Sequence, residues 1–570
     1  MSEPTATYEW GQLPWRKLEV AVFKLQRRIY RASQAGEIRR VHRLQRLLLK
    51  SRAAKFLAVR RVTQDNQGKH TAGIDGIKSL NPHQRFALAQ KLDTLATGSP
   101  ARRVWIPKAG KPELRPLSIP TLYDRAHQAL VKQVLEPEWE AKFEPNSYGF
   151  RPGRSVHDAI GAIFIAIGKQ PKYVLDADIA HCFERIEHKA LLRKLNTFPQ
   201  IRRRLQPWLK AGVLDSGVFT ATAMGTGQGA VISPLLANVA LHGLEEYLRN
   251  HFPVRARFGP PGGRYAVHWK PQLIRLADDF VILHRDKGVI AQCRQLVTEW
   301  LQGIGLELHP EKTRIAHTLE SEAGKAGFDF LGFEIRQYRV SQYNAARGFK
   351  TLIKPSRAAI ARHYAQLCEI IRNNQAARQG DLIGLLNPVI AGWSNYYSAV
   401  VSKAVFQRLD HLLYLRLARW ARYRHPHKGR RWIARRYWGI EEGAGWQFAT
   451  KEGLTLNQHA AVPITRHCKV KATASPFNGD WHYWVTRRGA YPGIPRRVAT
   501  LLHRQQGRCA HCGLFFLPEA LLEVHHRKQH PRDHTYRNLA AVHRHCHDQI
   551  HGGRRDRSRQ GGPYDKSRPA

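Results

Sequence analysis

The chain has 570 residues and a formal net charge of +48 at pH 7, from 92 lysines and arginines against 44 acidic residues. Its length predicts several domains, because a single core rarely grows beyond about 250–300 residues. Its 43% hydrophobic residues exclude wholesale disorder. The charge is spread along the whole chain and indicates a large polyanionic partner. An anionic membrane is the alternative, but no stretch approaches the roughly 20 apolar residues that span a bilayer, so we expect no membrane partner.

The first residues, MSEPTATYEWGQLPW, contain no apolar signal core. We therefore expect a protein of the reducing cytoplasm. Next, residues 15–60 have helical periodicity with basic faces. The arginines of such helices could face RNA, or they could form the solvated side of packing helices. From about residue 100 to residue 340, short strand and helix patterns alternate.

Two acidic segments lie in this alternating stretch. LIRLADDFVILH, residues 273–284, has apolar runs on both sides of Asp278 and Asp279, which predicts two buried strands joined at a turn. Asp178 ends another apolar run, in YVLDADIAHCF. Carboxylates are hard oxygen ligands for Mg²⁺, and two such ions can activate a 3′-hydroxyl and stabilise a leaving pyrophosphate. The segments predict a polymerase site, although an Asp pair alone also fits a solvated turn.

Residues 356–422 have mostly helical patterns. Between about 440 and 500 the pattern loosens, and we expect small strands in the early part and a linker at the end. Near the chain end, Cys509-x-x-Cys512 and His543-x-x-Cys546 have the spacing of zinc ligand pairs. A Cys₃His site would stabilise a module too small for a strong core. His545 is a competing ligand, and free thiols are the alternative.

The order of the motifs resembles that of proteins encoded by bacterial and organellar group II introns, from about Trp15 to about Gly552. Such proteins combine reverse transcriptase, maturase and often DNA endonuclease. The resemblance rests on WIPKAGKPELRPLSIP with SYGFRPGR, then VLDADIAHCFERIEH, GTGQGAVISPLLANVALHGLE, LADD, GLELHPEKTRI and GFDFLGFEI. It implies a multidomain α+β protein: a right-hand polymerase of fingers, palm and helical thumb, with a C-terminal ββα-metal HNH module.

By this resemblance the chain divides into five parts. We expect an N-terminal extension and the start of the fingers in 1–100, fingers and palm in 101–345, the maturase domain or thumb in 346–440, a DNA-binding region and linker in 441–500, and the HNH endonuclease with a basic tail in 501–570.

The resemblance also implies roles for individual polymerase residues. Phe183 would lie under the sugar and disfavour a 2′-hydroxyl, or it could be a core residue. Basic residues would bind the triphosphate, arginine through two hydrogen bonds and lysine as a point charge. Each of them could instead be a solvated surface charge. The implied catalytic residues and Mg²⁺ ligands are Asp178, Asp278 and Asp279, and the implied nucleotide-binding residues are Lys108, Arg115, Arg151, Phe183, Gln228 and Lys312.

Several positions depart from the family pattern. Leu276 replaces an aromatic residue before ADD, and Gly227 replaces a proline before QG. Ser118, Glu184 and Ala230 stand where Gly, Asp and Gly are common. None of these changes removes a metal ligand or a phosphate-binding charge. We therefore expect polymerase chemistry, but the sequence does not determine how efficient the polymerase is.

In the helical segment, LNPVIAGWSNYY (386–397) and RHPHKGRRW (424–432) resemble parts of the maturase domain. Aromatic rings there could stack on bases while basic residues neutralise phosphates. The alternative for the aromatics is the core of a helical bundle. The RNA-binding candidates are Trp393, Tyr396, Tyr397, Arg424, Lys428 and Arg431.

The terminal segment resembles the HNH nuclease motif, in which one histidine takes a proton from water and others hold a divalent ion. By position, His526 would be the base, and Asn538 would orient the base or brace the loop. His547 and His551 are four residues apart, so on a helix they share a face. The implied metal ligands are His525, His547 and His551 for the nuclease Mg²⁺, and Cys509, Cys512, His543 and Cys546 for a structural Zn²⁺.

Together these motifs predict a multifunctional group II intron-encoded protein. It would bind intron RNA to promote splicing, nick target DNA, and reverse-transcribe the RNA from the new 3′ end using dNTPs. One alternative is a splicing-only maturase with a weakened polymerase site. Another is a free-standing reverse transcriptase in defence or diversity generation. The sequence leaves the oligomeric state open.

Overall fold

The computed structural model describes residues 10–559, apart from 95–97, 108–112, 253, 260–262, 323, 344, 442–444, 490–493, 517–519, 529, 531–532 and 534. Lys108 and the basic tail beyond residue 559 therefore lie outside the described residues. In the part of the chain that is described, none of the helices combines the length and the apolar character that a bilayer crossing requires.

The N-terminal region is a layer of helices packed on the longest helix of the fingers. The apolar positions that repeat along its first two helices, including Val22, Ile29, Val41 and Leu44, are buried. The basic positions between them remain on the outer face, as expected for amphipathic packing helices. The helices are α1 (Trp15–Gln34), α2 (Ile38–Lys50), α3 (Arg52–Arg60) and α4 (Pro82–Lys91).

The fingers and palm follow, built on three sheets. The first sheet has the strand order β2-β1-β4-β5, the second β10-β3-β9-β8 with β11 also paired to β3, and the third β12-β13-β14. Their elements are β1 (Ala101–Pro107), β2 (Leu114–Ile119), α5 (Leu122–Lys142), α6 (Val156–Ile167), β3 (Tyr173–Ala180), α7 (Cys182–Arg185), α8 (His188–Leu195), α9 (Pro199–Lys210), β4 (Val213–Asp215), β5 (Val218–Thr220), α10 (Ser233–Leu241), α11 (Leu244–His251), β6 (Val254–Gly259), β7 (Gly263–His268), β8 (Gln272–Leu276), β9 (Asp279–His284), α12 (Lys287–Gln302), β10 (Glu307–Leu308), β11 (Arg314–His317), β12 (Phe328–Phe330), β13 (Phe333–Arg339) and β14 (Phe349–Pro355).

The palm sheet separates two hydrophobic cores. On β3, Leu175 and Ala177 enter the first core, whereas Val174 enters the second. Side chains alternate along a strand, so Asp176 and Asp178 lie on the same face as Val174. This burial on both faces explains why the strands have nearly continuous apolar sequences.

A helical thumb follows the palm. Its helices share a separate core that contains Leu367, Leu382, Leu413 and Trp420. A hairpin closes the thumb and supplies the small strands expected early in 441–500. These elements are α13 (Arg357–Asn373), α14 (Gln379–Tyr397), α15 (Lys403–Arg424), α16 (Arg430–Tyr437), β15 (Trp438–Glu441) and β16 (Gly445–Phe448).

The segment from about 459 to 489 packs against α6 of the palm. The linker predicted at the end of 441–500 falls partly on residues 490–493, which lie outside the described residues. Asp158 of α6, which is fully buried, accepts hydrogen bonds from Val470 N at 2.8 Å and from His467 Nε2 at 3.0 Å, and it forms an ion pair with Arg487. Trp484 is buried against Gly153, where an added Cβ would lie 2.3 Å from the indole ring. The segment contains α17 (Trp481–Gly489) and is followed by α18 (Arg496–Arg504).

The C-terminal module has its own small core and packs on the N-terminal helices. It consists of β17 (Leu522–His526) and β18 (Leu539–His543), which pair antiparallel, and α19 (Arg544–Arg559). The Trp481 ring lies 4.7 Å from the Phe23 ring and is stacked at 5.3 Å on the Phe515 ring. Gln549 Nε2 donates to Gly11 O at 2.9 Å. These features confirm the predicted multidomain α+β architecture.

Candidate functional sites

Three carboxylates lie at one end of the palm sheet. Asp178 at the end of β3 pairs in register with Asp279 of β9, and Asp278 lies in the turn between β8 and β9. Burial, together with the Asp278 and Asp178 carboxylates, raises the pKa of Asp279 to about 7. Burial also raises the pKa of Asp278. Crowded carboxylates of this kind resist ionisation unless cations neutralise them, so the site fits a cation.

Basic side chains reach this cluster from two directions. Lys312 Nζ forms an ion pair with Asp178 Oδ2. Arg115, which is exposed on β2, lowers the pKa of Asp278 through its charge, although burial remains the larger effect. Both residues lie where the sequence predicted triphosphate contacts. The donor set around the carboxylates therefore combines hard oxygen ligands with phosphate-binding charges, which is the chemistry that Mg²⁺–nucleotide complexes require.

Asp176 is a further carboxylate that the sequence interpretation missed. It lies two residues before Asp178 on the same strand face, and Arg314 Nε donates to its Oδ2 at 3.1 Å. Burial raises the pKa of Asp176 to about 6. The period-two alternation of β3 was the signal that could have identified it. Asp176 adds negative charge behind the three predicted carboxylates.

Arg151 occupies a different environment from the one expected. Its guanidinium is buried in a bidentate ion pair with Glu140, with Nε–Oε1 at 2.8 Å and Nη2–Oε2 at 3.0 Å. Its Nη1 donates to the backbone oxygens of Glu144 and Ser147, each at 2.8 Å. The ion pair occupies the guanidinium nitrogens that would otherwise bind a phosphate. The position of Arg151 is therefore at odds with the predicted triphosphate contact. Arg151 instead fixes the loop that follows α5.

Phe183 and Gln228, the two remaining predicted nucleotide contacts among the described residues, have different surroundings. Phe183 is half-buried against the first core and meets the exposed ring of Phe150 edge to face at 6.0 Å. Gln228 is half-buried and borders a cavity of about 360 Å³. Its backbone oxygen accepts a hydrogen bond from Ser118 N at 2.6 Å. Both alternatives for Phe183, core residue and sugar contact, fit this position.

Gly227 adopts a backbone conformation that explains why proline is absent here. Its φ is +67°, whereas the proline ring holds φ near −65°. Gly229 has φ +108°, and an added Cβ would lie 3.0 Å from Ser118 O. The loop around Gln228 is thus close to β2 and depends on glycine at two positions.

The aromatic RNA-binding candidates pack against the second hydrophobic core, where Tyr397 is buried and Trp393 and Tyr396 are half-buried. Trp393 is stacked on the His363 ring at 4.5 Å. Tyr397 is buried and donates to Gly332 O at 3.1 Å, while the Tyr396 ring packs 5.5 Å from Phe333. The core alternative therefore describes their surroundings better than base stacking does.

The basic RNA-binding candidates divide into two groups. Arg424 Nη1 donates to Gln375 O at 2.9 Å and to Ala377 O at 2.8 Å, so the Arg424 guanidinium stabilises the thumb. Lys428 and Arg431 are exposed and remain available for phosphates. Lys428 lies over the ring of Trp432, 5.6 Å from its centroid.

Exposed aromatics that the sequence interpretation missed lie among these charges. Tyr423 lies between two arginines and Trp432 directly follows two, and this was the available signal, since a core position rarely has such neighbours. Exposed rings beside cations are suited to stacking on bases. The exposed aromatics of the thumb are Tyr414, Tyr423, Trp432 and Trp446.

Cys509, Cys512, His543 and Cys546 form a compact ligand set in the C-terminal module. One ligand atom from each lies within 4.8 Å of all the others. Ligands of a tetrahedral zinc ion lie about 3.5–4 Å apart, so the arrangement fits this ion. His545 is outside the set: its ring is stacked on His543 at 5.1 Å, and its Nε2 faces Glu19 Oε1 at 3.6 Å.

His525, His547 and His551 form a second compact set with the same spacing limit of 4.8 Å. The Nε2 atoms of His547 and His551 are 3.2 Å apart. Glu523 Oε2 lies 2.9 Å from His547 Nδ1 and leaves His547 Nε2 as the ligand atom. Glu523 was also missed, although it lies two residues before His525 on the same strand. The three imidazoles fit one divalent ion.

Asn538 braces the loop beside His526. It is buried, its Nδ2 donates to Asp533 O at 2.9 Å, and its Oδ1 accepts from Lys528 N at 2.7 Å. Of the two predicted roles, bracing the loop is the one that these contacts support. His526 itself ends β17, one residue after the metal candidate His525.

Four family models match successive parts of the chain. They describe the N-terminal domain of reverse transcriptase (residues 10–92), reverse transcriptase, an RNA-dependent DNA polymerase (106–335), the maturase-specific domain of group II introns (360–438) and HNH endonuclease (509–553). The chain is therefore a reverse transcriptase that also carries a maturase domain and an HNH endonuclease domain.

Individual relatives agree with this class. The chain is 35% identical over 349 residues to protein YkfC of Escherichia coli (strain K12), covering 54% of this chain and 87% of the relative. It is 35% identical over 189 residues to the group II intron-encoded protein LtrA of Lactococcus lactis subsp. cremoris, covering 32% of this chain and 31% of the relative. An uncharacterized 91 kDa protein in a cob intron of Schizosaccharomyces pombe is 28% identical over 375 residues, covering 54% of this chain and 44% of the relative. The chain belongs to the family of group II intron-encoded proteins, which confirms the resemblance inferred from its motifs.

Proposed function

We propose that the protein binds its own intron RNA to promote splicing, nicks a DNA target, and copies the RNA into cDNA from the new 3′ end. The observation that carries this proposal is the presence, in one chain, of the palm carboxylate cluster and the three-histidine cluster at either side of a maturase domain. Such a protein would act on the bacterial nucleoid, in the cytoplasm, with intron RNA, target DNA and dNTPs as partners.

At the polymerase site, Asp178 and Asp278 would hold Mg²⁺, with Asp279 beside them. The metal supplies the charge that lowers the barrier to nucleotidyl transfer. Arg115 and Lys312 reach the cluster and would bind the triphosphate. Lys312 would exchange its ion pair with Asp178 for a phosphate when the nucleotide arrives. Lys108, in the fingers, remains a candidate for the same role.

At the nuclease site, His525, His547 and His551 would hold a divalent ion, which polarises the scissile phosphate. His526 would take the proton from the attacking water. Glu523 would hold the His547 imidazole in its ligand orientation. The Cys₃His set would hold a structural zinc that keeps the module folded.

In the maturase domain, Lys428 and Arg431 would neutralise RNA phosphates, with Trp432 as a stacking platform. Splicing chemistry belongs to the intron RNA, so the protein would position and neutralise it. The exposed Tyr414, Tyr423 and Trp446 extend the surface available for stacking.

A splicing-only maturase is the second candidate. Leu276 replaces the aromatic residue common before ADD, and the φ of Gly227 is incompatible with the common proline. Intact carboxylates and an intact histidine cluster favour the multifunctional protein.

One reaction tests the proposal. The protein is purified with the RNA that accompanies it and incubated with supercoiled DNA carrying the intron insertion site, Mg²⁺ and labelled dNTPs. We expect a folded intron lariat in the preparation and labelled cDNA covalently joined to the nicked strand. Splicing without labelled product would instead support the splicing-only maturase, and the absence of intron RNA would contradict the proposal.

A further inference from the structure

A buried arginine lies directly beside the turn that carries Asp278. Arg275 is on β8, only 2% exposed, and among the largest fully buried side chains of the protein. Its strand neighbours Leu273 and Ile274 are core residues. A guanidinium in such surroundings loses hydration that apolar packing would not require, so simple stability does not explain an arginine here.

The guanidinium of Arg275 is tied to the turn and to a neighbouring helix. Its Nη1 donates to Ala277 O at 3.1 Å and to Asn238 Oδ1, also at 3.1 Å. Asn238 of α10 in turn donates from Nδ2 to Gly149 O at 2.7 Å. Arg275 and Asn238 therefore form a chain of hydrogen bonds from the turn to the loop after α5.

The same loop contacts the turn through its backbone. Tyr148 N donates to Arg275 O at 2.9 Å, and Arg275 N donates to Asn146 O at 2.9 Å. A Cβ added to Gly149 would lie only 2.3 Å from Ala277 N. The loop and the turn thus approach so closely that only glycine fits between them.

The turn that is held in this way is strained. Ala277 has φ +59°, a left-handed conformation that residues other than glycine rarely adopt. Ala277 directly precedes Asp278, so a relaxation of this residue would rotate the Asp278 carboxylate away from Asp178. Strained backbone persists only where surrounding contacts over-determine it.

We propose that Arg275 is a positioning residue of the polymerase, which holds the left-handed turn at Ala277 through its carbonyl and thereby fixes Asp278 beside Asp178. The inference rests on the proposed role of Asp278 as a metal ligand. Both hydrogen bonds come from Nη1, which the rigid guanidinium plane holds in place; a lysine would carry a flexible ammonium on a side chain one bond shorter and without that plane. The brace therefore requires arginine and not merely a positive charge.

The test uses the full-length protein bound to intron RNA and compares Arg275→Met and Arg275→Lys with the parent. Arg204→Met is the matched control, because Arg204 is also 2% exposed and donates to Thr94 O at 3.0 Å, away from the palm turn. Primer extension is measured as kcat, as the KM for dNTP, and as a function of Mg²⁺ concentration. Thermal unfolding is followed on the same preparations, and rates are corrected for the folded fraction.

For Arg275→Met we expect kcat to fall about 10²-fold, the loss typical of a reacting group displaced by about 1 Å, and half-saturation to need several times more Mg²⁺. Arg275→Lys should show the same change in Mg²⁺ dependence. Arg204→Met should lower the unfolding temperature without altering the Mg²⁺ dependence. If both arginine variants at 275 keep the parental Mg²⁺ curve, or if Arg204→Met shifts it equally, the positioning role is overturned.

Asn238→Ala and Asp278→Asn test the hypothesis further, the first when Arg275→Met does not fold and the second to separate the brace from the polymerase assignment. If Arg275→Met does not fold, Asn238→Ala removes the second anchor of the guanidinium and should shift the Mg²⁺ curve in the same direction. An unshifted curve for this variant would overturn the brace. Asp278→Asn separates the two hypotheses: active extension by this variant would refute the polymerase assignment itself. An inactive Asp278→Asn with a normal Arg275→Met would refute only the brace.

Discussion

The roles of single residues are clearest at the palm turn. Asp278→Asn keeps the size of the side chain but removes one anionic oxygen from the metal site. We expect primer extension on RNA to be abolished while intron RNA binding keeps its affinity, because the RNA surface lies elsewhere. Primer extension and filter binding on the same preparation measure both quantities. Extension at the parental rate would contradict the assignment of Asp278 as a metal ligand.

The nuclease offers a second prediction at the same scale. His526→Ala removes the proposed proton acceptor, and strand cleavage should fall by about 10²–10⁴-fold, the usual contribution of a general base. Zinc content and primer extension should remain parental, since neither depends on this side chain. Cleavage of a labelled DNA target gives the rate, and an unchanged rate would exclude His526 as the base.

Sequence patterns identified residues well where chemistry depends on spacing. Asp178 and Asp279 pair in register on neighbouring strands, and most of the nuclease ligands lie on β17, β18 and α19. Asp278, Cys509 and Cys512 lie in turns and loops, where their short spacing in the sequence was the signal.

Arg151 was different, because its role depends on Glu140, a partner that no local pattern marks. Arg275 was missed for the same reason, because its contacts arise only when distant segments meet. Asp176 and Glu523 did have a local signal, since each lies two residues before a predicted ligand on the same strand.

At the scale of elements, the thumb allows two tryptophans to be compared. Trp393→Ala should reduce thumb stability by about 3–5 kcal/mol, the cost typical of losing a packed indole, with little effect on the RNA affinity of the folded protein. Trp432→Ala should leave stability nearly unchanged and weaken RNA binding by about 1–3 kcal/mol. Thermal unfolding and RNA titrations measure both effects. If Trp393→Ala weakened RNA binding and left stability unchanged, Trp393 would be an RNA-contacting residue.

The zinc set links several elements of the nuclease module. Cys509→Ser should release zinc and unfold the module, because the binding energy of such a site is folding energy. Splicing should survive, since the maturase core that contains Leu382 and Trp420 is separate. Metal analysis and limited proteolysis measure the outcome. A module that keeps its protease resistance without zinc would show that the ion is not structural.

Elements were predicted from sequence wherever periodicity was strong, as in α1 and the palm strands. The segment around residues 459–489 was not, because it has little regular structure of its own. It is ordered by contacts with partners elsewhere in the chain: Asp158 receives Val470 N, and Asp410 receives His459 N at 2.8 Å. Tertiary hydrogen bonds of this kind leave no periodic signal in the sequence.

For the whole molecule, the net charge of +48 leads to a prediction about salt. Distributed phosphate contacts release counterions, so log affinity for RNA should fall by about 0.7–0.9 per contact for each tenfold rise in salt. RNA titrations between low and physiological ionic strength measure this slope. A nearly flat dependence would mean that the charge serves a different partner.

The stack of Phe23, Trp481 and Phe515 has a consequence for biosynthesis. Phe23 of α1 contacts Trp481, which lies 458 residues later in the chain, so this contact forms only after residue 481 has been made. Domains fold as they emerge from the ribosome, and apolar surface that waits for a late partner is exposed to aggregation. The ring of Phe23 therefore lacks its Trp481 partner while the intervening domains are being made, and it is then an apolar surface that a chaperone or another nascent chain could contact.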